Sequence, residues 1–447
     1  MKFRKFGKTA LTAALSSAMV FSLSSCVQSF TSGYIYVTGT VTATPSGNGI
    51  ITGFKVDNNT GKLNPIHGTP VSSGGANPVR AVLYPGGRFV YVLNRGMNAS
   101  GGADCTTANP CSNSNITQFV VGGNGILTAQ ETFYTQGTNP ERIMMDSSGN
   151  YLFALDHDAP AATYCGTVVS GAAHCGDITV FKIDSSTGRL SLMTNAQLTS
   201  SSGTPVTYFP VPANPVEFAV AAGYVLTLSG TPGDAGGQVV YPYTYNTTNG
   251  QLTVSENTPQ VLNNGSGGLL TEGSAIVYAG GKVYILDNEP LTATVGGVTS
   301  TSPSQILPFT VGTNGALQSV TGGAVQDDPN ESSPVWLLQE SKGKFIYVAN
   351  ASGAGISTGS GITGYTIDPS SGILQEDAGS PWGTGAGPKC MIEDPSNQYL
   401  YTANGDSTVT GRVISPNTGD LTAMHGSTGT FSLQGPATWC FATGRTN

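Results

Sequence analysis

One short phrase recurs along the chain at nearly even spacing. "DNNTGKL" at residues 57–63 returns as "DSSTGRL" at 184–190 and as "DPSSGIL" at 368–374. With looser copies included, the phrase occurs seven times and ends at Leu63, Leu127, Leu190, Leu252, Leu317, Leu374 and Leu421. Each copy has an alternating apolar stretch, which predicts a strand, followed by a Gly-containing turn and the start of a return strand. The Gly indicates a tight turn because it readily adopts the positive φ that such turns need. The chain is therefore predicted to contain seven related β-hairpins.

Two further phrases alternate with these hairpins. A strand of aromatic and aliphatic residues that ends in a short polar residue also occurs seven times, as in "FVYVLN" at 89–94 and "YLYTAN" at 399–404. A strand usually opened by Pro precedes it, as in "NPVRAVL" at 77–83, although the fourth copy, "GSAIVYAGG", lacks the Pro. Seven four-strand units with a period of roughly 47 to 66 residues predict an all-β, seven-bladed β-propeller of four-stranded antiparallel blades.

The order of the phrases predicts how the blades are connected. The Pro-opened strand is innermost, the aromatic strand is second, and the hairpin strands are third and fourth. The chain enters this pattern at an aromatic strand, 34–38, and leaves it at a Pro-opened strand, 437–443. Both termini therefore build the last blade, which removes free sheet edges and places residues 34–447 in one propeller domain.

The first residues predict export. Four cations precede an apolar run at 10–23, which is the order of a secretory signal and is too short to span a membrane. The run ends in "LSSC", which resembles the lipobox of bacterial lipoproteins, in which Cys26 would become the acylated first residue. An ordinary signal peptide with an incidental Cys is the alternative. We expect a lipoprotein signal peptide at 1–25, a lipid-anchored tether at 26–33, and a protein held at the outer membrane or cell surface.

Composition limits the partners. Charged residues make up 10% of the chain, and the net charge of −8 becomes about −12 once the leader and its four cations are removed. Such an acidic protein is not expected to bind nucleic acid, or to contact a membrane other than through Cys26. We expect a monomer with a small-molecule or saccharide ligand.

The chain has six cysteines after Cys26. An even number in an exported chain predicts disulfides rather than free thiols. Proximity along the chain favours Cys105 with Cys111 and Cys165 with Cys175, which leaves one remaining pair; the six are Cys105, Cys111, Cys165, Cys175, Cys390 and Cys440. A zinc site is the alternative, but the chain has no CxxC pair and only four His.

The inner strands contain the candidate site. The connections from second to third strands are long and share one face, where the inner strands begin, so a binding site is expected there. The residue two after the opening Pro is Arg80, Arg142 and Glu217 in three consecutive blades. Two guanidinium groups could bind a carboxylate or phosphate while Glu217 acts as general base. The alternative is an ion network that only joins blades.

The other blades carry different residues near this position. In blades five to seven the corresponding residues are Trp336, Cys390 and Thr438. His157 ends an aromatic strand on the long-loop face and is the one His expected near a site. Acidic residues after other strands could offer oxygen ligands to Ca²⁺, but they lack the spacing of a calcium loop, so no metal or other cofactor is predicted.

The strand ends "YVAN" and "YTAN" and the turn "STGRL" resemble the lactonase family of seven-bladed propellers, which includes 6-phosphogluconolactonases and carboxymuconate-cyclising enzymes. The resemblance covers the chain after Cys26. It implies hydrolysis of a lactone or cyclic ester. With the inner-strand and long-loop positions above, we expect this reaction at the channel mouth, with Glu217 catalytic and with Arg80, Arg142, His157 and Trp336 binding substrate. These relatives often place a His near the inner position, and this chain does not. The alternative function is a non-catalytic, envelope-anchored binding or scaffold propeller for a sugar, polymer or protein.

Overall fold

The computed structural model describes residues 30–41, 48–102, 105–254, 259–295, 297–320, 322–352, 360–369 and 371–444. The signal peptide, Cys26 and the tether predicted at 26–33, apart from its last residues, lie outside the described residues. The described chain is built from 36 strands, with short 3-10 helices at Ala162–Thr167 and Thr313–Gly315. Among the described residues, no helix has the length and apolar character needed to cross a membrane.

The strands form seven sheets around one axis. Blade 7 contains β1 (Thr31–Thr40), β2 (Asn48–Asp57), β3 (Leu63–Pro65), β4 (Val71–Ala76) and the last strand, β36 (Ala437–Gly444). Blade 1 contains β5 (Pro78–Leu83), β6 (Phe89–Asn94), β7 (Asn115–Val121) and β8 (Leu127–Phe133). Blade 2 contains β9 (Thr138–Met145), β10 (Tyr151–Asp158), β11 (Gly176–Ile183), β12 (Leu190–Leu192) and β13 (Phe209–Val211).

The remaining four blades follow in chain order. Blade 3 contains β14 (Pro215–Ala221), β15 (Tyr224–Ser229), β16 (Val239–Tyr245), β17 (Leu252–Val254) and β18 (Gln260–Val261). Blade 4 contains β19 (Gly273–Ala279), β20 (Lys282–Asp287), β23 (Gln305–Val311), β24 (Leu317–Ser319) and β25 (Val325–Gln326), with a separate hairpin of β21 (Leu291–Val295) and β22 (Val298–Ser302). Blade 5 contains β26 (Pro334–Gln339), β27 (Phe345–Asn350), β28 (Gly361–Ile367), β29 (Leu374–Glu376) and β30 (Trp382–Gly383). Blade 6 contains β31 (Pro388–Glu393), β32 (Tyr399–Asn404), β33 (Thr408–Ile414), β34 (Leu421–Thr422) and β35 (Thr430–Ser432).

The predicted seven-bladed, all-β fold is confirmed, and so is the closure of one blade by both termini. Strand β36 pairs antiparallel with β1, with Tyr36 opposite Phe441, and β1 begins at Thr31 rather than at Tyr34. The structure also adds a detail, because the outer edge of six blades is split into two short strands that both pair with the third strand. The long connection of blade 4 is in part the hairpin of β21 and β22.

The repeated tyrosine of the second strand explains part of the repeat. Its hydroxyl donates a hydrogen bond to the carbonyl of the turn glycine in the next blade, as Tyr91 does to Gly188 at 2.5 Å and Tyr401 to Gly61 at 2.5 Å. Both glycines have positive φ, as the turn chemistry predicts. Four of the blades are bonded in this way to the hairpin turn of the next blade, in addition to packing apolar faces on each other.

Three disulfides are present and match the predicted pairs. Cys105 bonds Cys111 and Cys165 bonds Cys175, each within a long connection between a second and a third strand. The remaining pair, Cys390 and Cys440, joins two neighbouring inner strands, β31 and β36, with 6.0 Å between their Cα atoms.

Candidate functional site

A repeated backbone feature opens the inner strands. The residue before the opening Pro has positive φ in five blades, where it is Asn77, Asn139, Asn214, Ser333 or Gly387. Asn and Gly tolerate this left-handed conformation, which accounts for the repeated Asn-Pro pair. Each inner strand then has a register shift, or β-bulge, one residue later, as between Pro78 and Arg80. Bulges re-aim side chains, and in blade 1 both residues that follow the Pro, Val79 and Arg80, face the cavity on the axis.

Three charged side chains meet at the axis. Glu217 Oε2 accepts hydrogen bonds from Arg80 Nη2 and from Arg142 Nε, the latter at 2.9 Å. The Glu217 side chain is 3% exposed, and its Oε1 accepts from the backbone N–H of Phe218 at 3.2 Å. The three residues come from blades 1, 2 and 3, so the inner strands bring together the three charges that the sequence aligned.

Arg80 is held by rings as well as by Glu217. Its guanidinium carbon lies 3.8 Å from the centre of the Trp439 ring and 4.8 Å from that of Trp336. The two indoles meet edge to face at 4.7 Å, and Trp439 Nε1 donates to the Ala81 carbonyl. Burial lowers the pKa of Arg80 to about 10, although the Glu217 carboxylate opposes that shift. Arg80 is therefore a fixed cation in the wall of the channel.

Arg142 lies nearer to solvent. Its side chain is 28% exposed, and its Nη1 donates to the Glu141 carbonyl at 2.8 Å. The carboxylates of Glu217 and Glu141 raise the pKa of Arg142 against the effect of burial. Glu141 also pairs with Arg95, so the rim beside Arg142 holds a second carboxylate that does not contact Arg80.

A cavity of about 320 Å³ lies above the charged cluster. Its lining combines bulge residues with the cluster: Val79, Arg80, Arg142, Glu217, Ser274, Val335, Lys389, Ala437, Thr438 and Trp439. Lys389, the bulge residue of blade 6, is exposed and has no ion pair within the described part of the chain. Three cations and one carboxylate thus line the cavity of an acidic protein, which favours an anionic ligand.

Two site residues missed from the sequence are Lys389 and Trp439. The sequence pattern predicted that the residue two after the Pro lies at the channel mouth. The bulge also turns the residue directly after the Pro toward the axis, and in blade 6 that residue is Lys389. In blade 7 the register shift aligns Trp439, not Thr438, with the position of Arg80. Assigning Thr438 to that position was wrong, because the blade begins its pairing at Ala437 rather than at Pro436. The sequence signal for Lys389 was a charged residue between the opening Pro388 and Cys390 of an inner strand.

The other predicted site residues lie apart from the cavity or behind it. Trp336 packs behind Arg80, and its neighbour Val335 lines the cavity instead. His157 is at the end of β10, where its Nδ1 lies 3.1 Å from Asp158 Oδ2, and it is not in the cavity lining. The inner-strand residue of blade 6, Cys390, is buried in its disulfide.

Acidic groups elsewhere do not assemble a metal site. The described residues contain no group of three or more His, Cys, Asp or Glu placed to hold a metal ion. Asp156 and Asp177 are both fully buried beside Thr179 in blade 2, and burial raises the pKa of Asp156 to about 8. Asp156 accepts from the Thr135 hydroxyl and the Gly137 N–H. Asp177 Oδ2 accepts from the Thr179 hydroxyl, and its buried Oδ1 has no hydrogen-bond partner among the described residues.

The model of the family described as "Lactonase, 7-bladed beta-propeller" matches residues 47–208 and 292–435. No curated protein matches the chain in sequence.

Solved structures match across nearly the whole fold. A putative 6-phosphogluconolactonase from Bacteroides fragilis is 18% identical, with a TM-score of 0.60 over 92% of this chain and 98% of its own. The periplasmic gluconolactonase PpgL from Pseudomonas aeruginosa is 16% identical, with a TM-score of 0.61 over 93% of this chain and 100% of its own. At these identities the likeness supports the fold rather than an activity.

Proposed function

We propose, from the premise that this chain belongs to the lactonase family of seven-bladed β-propellers, that it hydrolyses an anionic lactone in the cavity on its axis. The observation that carries the proposal is the gathering of Arg80, Arg142 and Glu217 from three blades, with Lys389 from a fourth, around one cavity. Buried and half-buried charges are costly, so a chain with so few charges is not expected to collect Arg80, Arg142 and Glu217 at one place without a use.

The contacts suggest a different role for each charged group. Arg80, stacked on Trp439 and bonded to Glu217, positions the carboxylate. Arg142 and Lys389 reach the open part of the cavity. Lys389 binds the acid group of the substrate, and Arg142 binds the oxygen that becomes negative. Because Arg142 is the more exposed partner of Glu217, we propose that an incoming anion draws it away and lets a water molecule reach the carboxylate.

The proposed reaction is an acyl transfer to water. Glu217 takes a proton from the water molecule while the water oxygen bonds to the lactone carbonyl carbon. The carbonyl oxygen then becomes an oxyanion beside Arg142. Collapse of this intermediate breaks the ring C–O bond, and the proton held by Glu217 passes to the departing alkoxide. The product is the open hydroxy acid.

A lactone panel tests this proposal. Mature protein is mixed with D-glucaro-1,4-lactone, which carries a free carboxylate, and with neutral D-glucono-1,5-lactone, and acid release is followed in a pH-stat. We expect the anionic lactone to give the higher kcat/KM. Absence of turnover above the spontaneous rate for both compounds would contradict the hydrolase proposal.

A second candidate function is binding without catalysis. It is favoured by the pairing of Glu217 Oε2 with both guanidinium groups and by the 3% exposure of the side chain, since a carboxylate so engaged is a poor base. In this alternative the Arg–Glu–Arg network joins three blades, and the cavity holds a sugar acid, a polymer end or a protein side chain. Saturable binding of glucarate without lactone turnover would support it.

The protein is proposed to work outside the cytoplasm. Three disulfides are typical of exported proteins, and a structural relative is named as periplasmic. Attachment through an acylated Cys26 follows from the lipobox alone. We expect Cys26→Ala to move the protein from the membrane fraction to the soluble fraction of the expressing cells, as measured by fractionation and immunoblotting. An unchanged distribution would contradict the lipid anchor.

A further inference from the structure

The third strand of each blade carries a residue that pairs with the second residue of the repeated aromatic phrase, such as Ile35 in blade 7 or Val90 in blade 1. In six blades this residue is aromatic and buried against the preceding blade: Phe54, Phe119, Phe181, Tyr243, Phe309 and Tyr365. In blade 6 the equivalent residue, opposite Leu400, is Arg412. Blade 6 therefore has a cationic side chain, Arg412, at the position where the other six blades have an aromatic side chain.

The substitution changes the packing between blades 5 and 6. The hydrophobic cluster at that interface contains Ile414 of the same strand but not residue 412. Instead there is a groove of about 420 Å³, lined by Gly383, Thr384, Gly385, Asp406, Thr408, Thr410, Gly411, Arg412, Ala423, Met424, Thr428 and Thr430. The side chains around Arg412 are thus mostly small or hydroxylated.

Arg412 is only partly satisfied in this groove. Its Nη2 donates to the Gly383 carbonyl at 2.6 Å, while its Nε is buried without a hydrogen-bond partner. Burial lowers the pKa of Arg412, and no ion pair within the described part of the chain offsets that effect. A half-buried cation with unused N–H donors is costly unless a ligand or partner neutralises it.

One face of strand β33 supplies a row of polar and charged side chains to the groove. Asp406, Thr408, Thr410 and Arg412 alternate along β33 and the turn before it, so they share a face. Asp406 is occupied by the Thr408 hydroxyl at 2.6 Å and by the N–H of Ala386 at 2.7 Å. The groove thus has the Arg412 cation at one end, the occupied Asp406 carboxylate at the other, and threonine hydroxyl groups between them.

We propose that the groove between blades 5 and 6 is a second binding site, distinct from the axial cavity, that takes a carboxylate-bearing carbohydrate. The guanidinium of Arg412 binds the carboxylate in its planar fork, and the threonine hydroxyls bind sugar hydroxyls. This inference does not depend on the lactonase proposal, because none of its residues lines the axial cavity.

Titration calorimetry of the full mature protein with sodium D-glucuronate tests the site, with D-glucose and sodium acetate as controls. Arg412→Phe restores the aromatic residue of the repeat, and Arg412→Met removes the charge without adding a ring. We expect each variant to weaken glucuronate binding by at least about tenfold. We also expect Arg412→Phe to keep a Tm no lower than that of the parent protein.

A variant of the axial cavity separates the two sites. Lys389→Ala should leave the glucuronate binding that depends on Arg412 unchanged. Glucuronate affinity unaffected by both Arg412 variants, or no saturable binding to the parent protein, would overturn the proposal. If glucose binds as tightly as glucuronate, the proposed role of the carboxylate is contradicted. If acetate binds as tightly as glucuronate, the proposed recognition of the sugar is contradicted.

Discussion

The two guanidinium groups bound to Glu217 differ in how much of each reaches solvent. The Arg80 side chain is 5% exposed and stacks on Trp439, whereas the Arg142 side chain is 28% exposed. A ligand in the cavity can therefore compete for Arg142 without disturbing the wall of the channel. Lys389 adds a cation whose removal breaks no ion pair among the described residues, which makes it the most informative residue to change.

Lys389→Ala is expected to affect substrate binding alone. If the cavity binds the acid group of a lactone, the KM for D-glucaro-1,4-lactone should rise roughly tenfold while kcat and Tm change little. The matched control is neutral D-glucono-1,5-lactone, whose KM should not change. Steady-state kinetics on both lactones check this, and an equal rise in both KM values would contradict a charge-based role.

At the scale of the strand, the β-bulge decides which residues reach the axis. The sequence predicted which strand is innermost and that Arg80, Arg142 and Glu217 would align, because these depend on a repeat and on a Pro that marks each strand. It did not predict the cavity positions of Lys389 and Trp439. Those depend on the register shift between each innermost strand and the second strand with which it pairs, which a single-strand pattern does not record.

The disulfide between β31 and β36 holds the C-terminal strand to its neighbour at the closure of the ring. Replacing both Cys390 and Cys440 by Ala should lower the free energy of unfolding by about 2–5 kcal/mol, because the bond closes a loop of some 50 residues. The matched control replaces Cys105 and Cys111, which are only six residues apart, and should cost less. Urea unfolding measures both, and a larger loss in the control would contradict the closure role.

At the scale of the molecule, several buried carboxyl groups have raised pKa values. Burial, with Glu289 nearby, raises the pKa of Asp287 to about 7, and burial raises that of Glu331 to about 7 and that of Asp156 to about 8. A carboxyl whose folded pKa is raised binds its proton more tightly in the folded state. Its contribution to stability is complete below its unfolded pKa near 4 and is lost as the pH rises through the folded pKa.

The protein should therefore unfold at a lower Tm at pH 8 than at pH 5. Below pH 4 the trend should reverse, because groups with lowered pKa values, such as Asp158, lose the contribution they make when ionised. Asp287→Asn mimics the protonated acid and should raise the Tm at pH 8 more than at pH 5. Differential scanning calorimetry across this range checks both expectations. A Tm that rises steadily from pH 5 to pH 8 would contradict them.

The blade count and closure were predictable because each blade repeats the same strand and turn residues. Seven copies of the pattern support the same strand assignment, so an ambiguity in one copy does not change the fold prediction. The axial cluster was predictable in its members but not in its contacts. The stacking of Arg80 on Trp336 and Trp439 joins blades 1, 5 and 7. His157 is separated from the cavity because it lies on the second strand of its blade, β10, rather than on the innermost strand. Such contacts arise from the closed ring rather than from any local pattern.

The turnover number of Glu217→Gln tests the central claim most directly. Glu141→Gln is the matched control, since it removes the other carboxylate near Arg142 and leaves the candidate base in place. Both variants are measured on saturating D-glucaro-1,4-lactone, at a temperature well below the Tm of each, because Glu217→Gln also weakens a buried ion pair. We predict that kcat falls by roughly 10² to 10⁴ for Glu217→Gln and by far less for Glu141→Gln. A folded Glu217→Gln variant with the kcat of the parent protein would contradict the account.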